Sequence, residues 1–115
     1  MNHQHQVLIK RAIEDVFRYM DDVSRESEWQ PNILEAFKEP SGQTEVGTRK
    51  RYVSQFMGKR IENTYVTKVF EANRRVVYET TSDSVLQARA ELLWEAVGAG
   101  TRVTMKFQGK VGGVL

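Results

Sequence analysis

Few side chains in this sequence are suited to nucleophilic catalysis or to holding a metal. The chain has no cysteine and only two histidines, His3 and His5. On an extended segment these two would lie on the same side and could in principle share a metal ion, but the sequence fixes no carboxylate beside them. A Ser-His-Asp triad would need one of the same two histidines. We therefore expect no bound metal, no cofactor, and neither thiol nor triad chemistry.

Two pairs of adjacent carboxylates are the next candidates, for acid–base chemistry. Glu14-Asp15 and Asp21-Asp22 lie where helices are predicted to begin or end. Carboxylates at such positions accept hydrogen bonds from free backbone N–H groups and interact favourably with the helix dipole. We expect both pairs to act as helix caps.

A third group consists of basic residues. Arg49-Lys50-Arg51, with Lys59-Arg60 close behind, is the only dense cationic cluster, and the net charge of the chain is +2. On a strand these side chains alternate between the two faces, so they form no continuous stripe for nucleic acid. We expect a solvated strand edge and no nucleic-acid partner. Arg49 or Arg51 would meet a ligand carboxylate only if its side of the strand faced inward.

The elements that position these side chains follow from two hydrophobic periodicities. Val7–Ile9 predicts an opening strand, and the apolar residues of Ile13–Met20 are spaced as one face of a helix. A second short helix is predicted over Ser24–Glu28, and Pro31 ends it. A period of two then indicates six strands, near 32–39, 47–57, 60–71, 74–82, 84–97 and 101–110.

The clearest alternation lies in the predicted strand over 84–97. Its even-numbered residues from 88 to 96 are apolar, whereas the odd-numbered ones are mostly polar or charged. This pattern is typical of an antiparallel sheet with one wet face, and the apolar face must be covered. Two short helices cover too little of seven strands. We therefore expect a long helix to follow Phe107, with Gln108–Leu115 as its approach, and residues 1–115 to be one domain that is incomplete at its C-terminus.

Five short motifs occur in one order within residues 5–108: Ile13-Glu14-Asp15-Val16-Phe17, Glu28-Trp29-Gln30-Pro31, Gly47-Thr48, Val66-Thr67-Lys68-Val69-Phe70-Glu71-Ala72 and Leu92-Leu93-Trp94-Glu95. Their order and spacing resemble the START-like helix-grip superfamily (SRPBCC), and within it the polyketide cyclase/dehydrase and lipid-transport-like group. The resemblance implies an α+β helix-grip fold. In it, a curved seven-stranded antiparallel sheet, with two short helices after strand 1, grips a long C-terminal helix around an apolar cavity. We expect the long helix to be missing or truncated in this sequence.

Strand parity places most of a set of residues on the inner face of such a sheet. Trp29 would join them from the second helix, and the facing of the strand that carries Tyr52 and Phe56 is left open by its Arg/Lys alternation. The members of the set are mostly aromatic or apolar with a few polar groups, which is the usual lining of a ligand pocket. Tyr65, Tyr78, Asn63 and Thr80 are the expected hydrogen-bond partners of a ligand carbonyl or hydroxyl. The alternative for every one of them is a place in the core. The full candidate set is Trp29, Tyr52, Phe56, Asn63, Tyr65, Tyr78, Thr80, Leu92, Trp94, Met105 and Phe107.

The function we expect is binding of a small hydrophobic ligand of lipid, polyketide or aromatic type. One alternative is a polyketide cyclase, aromatase or dehydratase-like enzyme, which would need an ionisable group inside the cavity. Another is an interaction domain whose uncovered sheet is buried by a second copy of the chain or by a partner helix. The sequence has neither a bilayer-spanning run nor the layout of a signal peptide, and we expect a cytoplasmic location.

Overall fold

The computed structural model describes residues 2–30 and 32–111, except for the side chains of Phe56 and of residues 110 and 111. Pro31, predicted to end the second helix, and residues 112–115 lie outside this part. The described elements are β1 (Asn2–Ile9), α1 (Ile13–Asp21), a 3-10 turn (Val23–Arg25), α2 (Glu26–Trp29), β2 (Ile33–Glu39), β3 (Arg49–Phe56), β4 (Lys59–Glu71), β5 (Arg75–Thr80), β6 (Leu86–Val97) and β7 (Gly100–Val111).

The seven strands form one antiparallel sheet in the order β1-β7-β6-β5-β4-β3-β2, which confirms the predicted sheet. Each strand from β2 to β6 pairs with its successor along the chain, while β1 pairs with β7 at the far edge. The β6–β7 hairpin turns at Gly98, whose φ of 59° lies in the left-handed region that glycine adopts without a steric penalty.

One strand of the sheet is longer than the sequence predicts, because β1 begins at Asn2 rather than at Val7. β7 ends at Val111, close to its predicted end at residue 110, and the last part of the expected helix approach, residues 112–115, lies outside the described part of the chain. At both ends the neighbouring strand supplies the backbone partners: His3 is opposite Phe107 on β7, and Leu86 on β6 is opposite Val111. Backbone pairing does not depend on side-chain polarity, so the periodicity of the side chains does not reveal it.

The apolar face of α1 packs on one side of the sheet, which we call the inner face. Val16, Phe17 and Met20 are buried, as their helical spacing predicts. The Phe17 ring contacts Trp94 edge-on, with 4.6 Å between ring centroids. The core cluster of buried residues joins these positions to Val76, Tyr78 and Val103 on the sheet. This core occupies only part of the inner face.

For the pair Asp21-Asp22, the prediction of a helix cap is correct for Asp22 and wrong for Asp21. Asp22 begins the 3-10 turn by accepting a hydrogen bond from the backbone N–H of Ser24, at 3.0 Å. Asp21 caps nothing in this way and instead accepts hydrogen bonds from two lysine side chains, Lys38 and Lys50. The two adjacent residues thus differ in role: Asp22 is an exposed capping residue, whereas Asp21 is a half-buried partner of two lysines.

The sheet curls around its inner face, as predicted. β1 and β3 are five strand spacings apart in the sheet order, a separation of about 24 Å if the sheet were flat. Even so, His3 and His5 of β1 line the same cavity as Lys50, Tyr52 and Ser54 of β3. A single cavity bounded by both sides of the sheet requires this curvature.

Candidate ligand-binding cavity

A cavity of about 460 Å³ lies between the inner face of the sheet and the α2 segment. Its apolar wall is formed by Trp29 of α2 and by inward side chains of β6 and β7, among them Leu92, Met105 and Phe107. Part of the lining is polar and includes Glu26, Gln30, Lys50, Asn63 and Tyr78. We call the part formed by these five residues the polar end.

Most of the predicted ligand contacts are brought together around this cavity. Thr80 and Trp94 do not line it. Thr80 Oγ1 is hydrogen-bonded to the backbone of Ala88, and Trp94 packs in the core beneath α1. Both residues therefore make structural contacts. The side chain of Phe56 lies outside the described part of the chain. The remaining eight predicted residues all line the cavity: Trp29, Tyr52, Asn63, Tyr65, Tyr78, Leu92, Met105 and Phe107.

The shared inner face predicted for the even-numbered residues of β6 is therefore divided among three environments. Ala90 and Leu92 line the cavity, Trp94 is buried against Phe17, and Ala96 is exposed. Alternation along a strand gives the face on which a side chain lies. It does not give the part of that face that the helix α1 covers.

Lys50 is the central residue of the polar end, and the sequence analysis placed it wrongly. Its side chain is only 2% exposed, whereas we expected Arg49-Lys50-Arg51 to form a solvated strand edge. The ammonium group donates hydrogen bonds to Asp21 Oδ1 at 3.1 Å and to the Tyr78 hydroxyl at 2.8 Å. It also lies 4.9 Å from the centroid of the Tyr78 ring. The inward cation of β3 is thus Lys50, and Arg51 is on the outer face.

Asp21 is shared among several donors. Lys38 donates to its Oδ2 at 3.3 Å, and the hydroxyl of the buried Thr44 lies 2.8 Å from Oδ1 and 2.9 Å from Oδ2. Lys38 is 10% exposed and Asp21 17%. One carboxylate therefore faces two largely buried ammonium groups.

Glu26 is the second ionisable group that the sequence analysis missed. It is 2% exposed, its Oε2 accepts a hydrogen bond from the Gln30 amide, and its Oε1 is buried without a hydrogen-bond partner in the described part of the chain. Burial raises the pKa of Glu26 to about 7, although the Lys50 ammonium opposes the shift. Near neutral pH, protonated and ionised forms of Glu26 coexist.

The tyrosines of the cavity are neutral hydrogen-bonding groups. Burial raises the pKa of Tyr78 and of Tyr52 well above the usual value for a phenol, and nearby carboxylates act in the same direction. Because Tyr78 accepts a hydrogen bond from Lys50, its own O–H remains available as a donor. Polarisation by the ammonium group makes that hydroxyl a stronger donor.

Two sequence signals could have revealed the polar end. Lys50 has the same parity on β3 as Tyr52, a predicted ligand contact, so both had to lie on one face. Glu26 precedes Trp29, another predicted contact, by three residues, a spacing that places them on one side of a helix. His3 and His5 also line the cavity, from the exposed strand β1.

A second cavity, of about 450 Å³, lies between β1 and α1. Val7, Ile9 and Val16 contribute apolar side chains to its wall. Met20, Trp29 and Met105 line both cavities and therefore separate them.

Across residues 2–30 and 32–111, no helix has the length and apolar character needed to cross a membrane.

Comparison with known proteins agrees with this architecture. The family model described as polyketide cyclase / dehydrase and lipid transport matches residues 2–115. A search among curated proteins finds no match.

Several solved structures share the fold. A START superfamily protein from Mycobacterium smegmatis superposes with a TM-score of 0.81 at 11% identity, covering 99% of this chain and 79% of that one. The protein TTHA0849 from Thermus thermophilus gives 0.82 at 16% identity, with 96% and 75% covered. The Zhui aromatase/cyclase from a Streptomyces species gives 0.73 at 17% identity, with 98% and 70% covered. These likenesses establish the helix-grip fold.

Proposed function

Because the chain belongs to the polyketide cyclase/dehydrase and lipid transport family, we propose that it binds a small hydrophobic ligand, of lipid, polyketide or aromatic type, in the cavity between the sheet and α2. The observation that carries this proposal is the cavity itself. Its volume of about 460 Å³ falls in the range of small-molecule sites, roughly 300–1,000 Å³. Its wall is mostly apolar in area and also carries polar groups, the combination that buries a ligand body and orients its head.

A thermal-shift experiment with 2-naphthol, a neutral aromatic probe, tests the proposal. Binding to the folded state raises Tm, by about 4–8 °C for each kcal/mol of ligand-linked stabilisation in a domain of this size. The variant Leu92→Trp fills the apolar wall and should abolish the shift. Leu93→Trp is the matched control, since Leu93 is the next residue of β6 and does not line the cavity. A probe that stabilises neither the wild type nor the control would contradict the proposal.

A second candidate function is acid–base catalysis in the same cavity, and one observation favours it. Glu26 lines the cavity with a pKa of about 7, the value that suits a general base or acid near neutral pH. In the simplest reaction, the Glu26 carboxylate removes a proton from the carbon next to a ligand carbonyl, and the Tyr78 O–H stabilises the resulting enolate oxygen by a hydrogen bond.

This second function predicts hydrogen–deuterium exchange. With 1-tetralone in D₂O, proton removal breaks the C–H bond next to the carbonyl, and return of a deuteron from the labelled carboxyl forms C–D, which mass spectrometry detects. Glu26→Gln should reduce the protein-dependent rate at least about tenfold, within the usual contribution of such a group. Equal rates for the wild type and Glu26→Gln would exclude Glu26 as the base.

A further inference from the structure

We propose that the ligand of this cavity carries one carboxylate head on an aromatic or aliphatic body, that the head lies between Lys50, Tyr78 and Glu26, and that its binding is coupled to uptake of a proton by Glu26. This inference rests on the proposed binding function and specifies the chemical class of the ligand. It follows from the residues of the polar end of this chain.

The first observation is a surplus of buried positive charge. Lys50 and Lys38 both donate to a single carboxylate, Asp21, and both lysines are at most 10% exposed. Asp22 also lies near Lys38 but is exposed and hydrogen-bonded to Ser24. With Glu26 protonated, the two ammonium groups outnumber the buried carboxylates by one. An anionic head group would neutralise this surplus in a site where burial weakens solvent screening.

The second observation is a set of unused hydrogen-bonding positions at the same place. Lys50 has three N–H donors and, among the described residues, uses two of them, for Asp21 and Tyr78. The Tyr78 hydroxyl accepts from Lys50 and retains its own O–H, and Glu26 Oε1 has no partner among the described residues. A carboxylate offers two oxygen acceptors, enough to receive hydrogen bonds from Lys50, from Tyr78 and from a protonated Glu26.

Other head groups fit this arrangement less well. An ammonium head would be repelled by Lys50 and Lys38. A neutral carbonyl or hydroxyl would accept the same hydrogen bonds but would leave the surplus charge uncompensated. The apolar wall of Trp29, Leu92 and Phe107 accommodates the rest of an amphipathic acid.

The coupling to protons follows from the neighbours of Glu26. The groups that act on it are Lys50 and Lys38, which favour its ionised form, and Asp21, which opposes that form, while Tyr52 and Tyr78 remain neutral beside it. A ligand carboxylate adds a second like charge and raises the pKa of Glu26 further. Above pH 7, where free Glu26 is mainly ionised, binding must then take up one proton, and affinity falls by up to about tenfold per pH unit.

Isothermal titration calorimetry with two matched probes tests the inference. The probes are 2-naphthoate and its neutral isostere 2-naphthamide, titrated into the full chain between pH 6 and pH 8.5. In the wild type we expect 2-naphthoate to bind at least tenfold more tightly than 2-naphthamide at pH 6. This preference should diminish above pH 7, while the affinity for 2-naphthamide stays constant.

Three variants assign the effect to residues. Lys50→Met should lose the preference for 2-naphthoate, and Glu26→Gln should bind 2-naphthoate without the pH dependence, since it cannot take up the proton. Arg51→Met, a neighbouring cation on the outer face, is the control and should behave as the wild type. If Lys50→Met fails to fold, the pH profile of Glu26→Gln still decides the coupling.

The outcomes separate the inference from the function on which it rests. If the wild type binds both probes equally at every pH, the carboxylate inference is wrong and the proposed ligand-binding function stands. A preference for 2-naphthoate that survives in Lys50→Met would also overturn the inference. If neither probe binds to the wild type, the result contradicts the inference and the proposed function together.

Discussion

Two consecutive residues of β3 show how different the surroundings of a positive charge are on the two faces of this sheet. Arg51, on the outer face, contacts Glu62 at 2.8 Å, and both side chains are substantially exposed. Lys50, on the inner face, contacts Asp21 at 3.1 Å with 2% of its side chain exposed. The two ion pairs therefore have similar distances but differ in what they contribute to stability. Water screens the outer pair, while the inner pair has lost most of its hydration and depends on its protein partners.

The same contrast extends over the rest of the molecule. Further ion pairs connect neighbouring strands on the outer face, including Arg75 with Glu91 and Arg102 with Glu95. The charges of the inner face are gathered at the polar end, where Asp21 and Glu26 lie near Lys38 and Lys50. The outer pairs lie on a surface that faces solvent, whereas two of the inner charged residues, Lys50 and Glu26, line the cavity. Replacing one carboxylate at a time by its amide tests this contrast.

The largest effect is expected for Asp21→Asn. It removes the carboxylate that faces two buried ammonium groups, Lys38 and Lys50. Breaking a buried ion pair in this way costs about 3–5 kcal/mol, because the remaining charge is left without compensation. The free energy of unfolding, measured by urea denaturation at pH 7, should fall by this amount.

A double variant serves as the control for that loss. Adding Lys50→Met to Asp21→Asn removes one of the uncompensated charges and should restore part of the stability. A single variant Asp21→Asn that unfolds at the same urea concentration as the wild type would contradict the inner–outer contrast.

The next largest effect is expected for Glu26→Gln, and it depends on pH. The folded-state pKa of about 7 lies above the unfolded value, so the folded chain binds the proton more tightly. Below the unfolded pKa this preference contributes fully to stability, and it is lost as pH rises through the folded pKa. The wild type should therefore lose about 3 kcal/mol from this group between pH 4 and pH 8.

Glu26→Gln should not show that loss. Urea denaturation at pH 4 and at pH 8 gives the free energy of unfolding of the wild type and of the variant. Relative to the wild type, the variant should be more stable at pH 8 than it is at pH 4. A difference that is the same at pH 4 and pH 8 would mean that Glu26 ionises as readily in the folded state as in the unfolded state.

The smallest effect is expected for Glu62→Gln on the outer face. The ion pair of Glu62 with Arg51 is exposed, and such pairs contribute less than about 1 kcal/mol, which salt reduces further. Urea denaturation in low and in high salt measures this contribution. If Glu62→Gln lowered the free energy of unfolding as much as Asp21→Asn does, charges on the two faces would not differ in their contribution to stability.

The elements of the fold were largely predictable because they depend on local patterns. The alternation in β6 and β7 and the helical spacing of Val16, Phe17 and Met20 each specify an element and its apolar face. β1 was predicted only from Val7 onward, because its polar first half is held as a strand by pairing with β7, which is distant in sequence.

The candidate site was predictable in its apolar part and missed in its ionic part. Leu92, Met105 and Phe107 follow from strand parity. Lys50 and Glu26 were missed because burial of a charged residue depends on partners that are distant in sequence, here Asp21 and Tyr78 for Lys50. Trp94 shares a face with Leu92, but only the position of α1 decides that Trp94 is in the core.

The three side chains that line both cavities bear on the size of ligand that the proposed binding function allows. Two of them, Met20 and Met105, are unbranched thioethers that change rotamer easily and repack around irregular shapes. Under the proposed binding function, rotation of these two side chains would join the cavities, of about 460 Å³ and 450 Å³, into one passage open to a longer ligand than either cavity holds alone. A pair of methionine rotamers would then set the length of the ligand, independently of its head group.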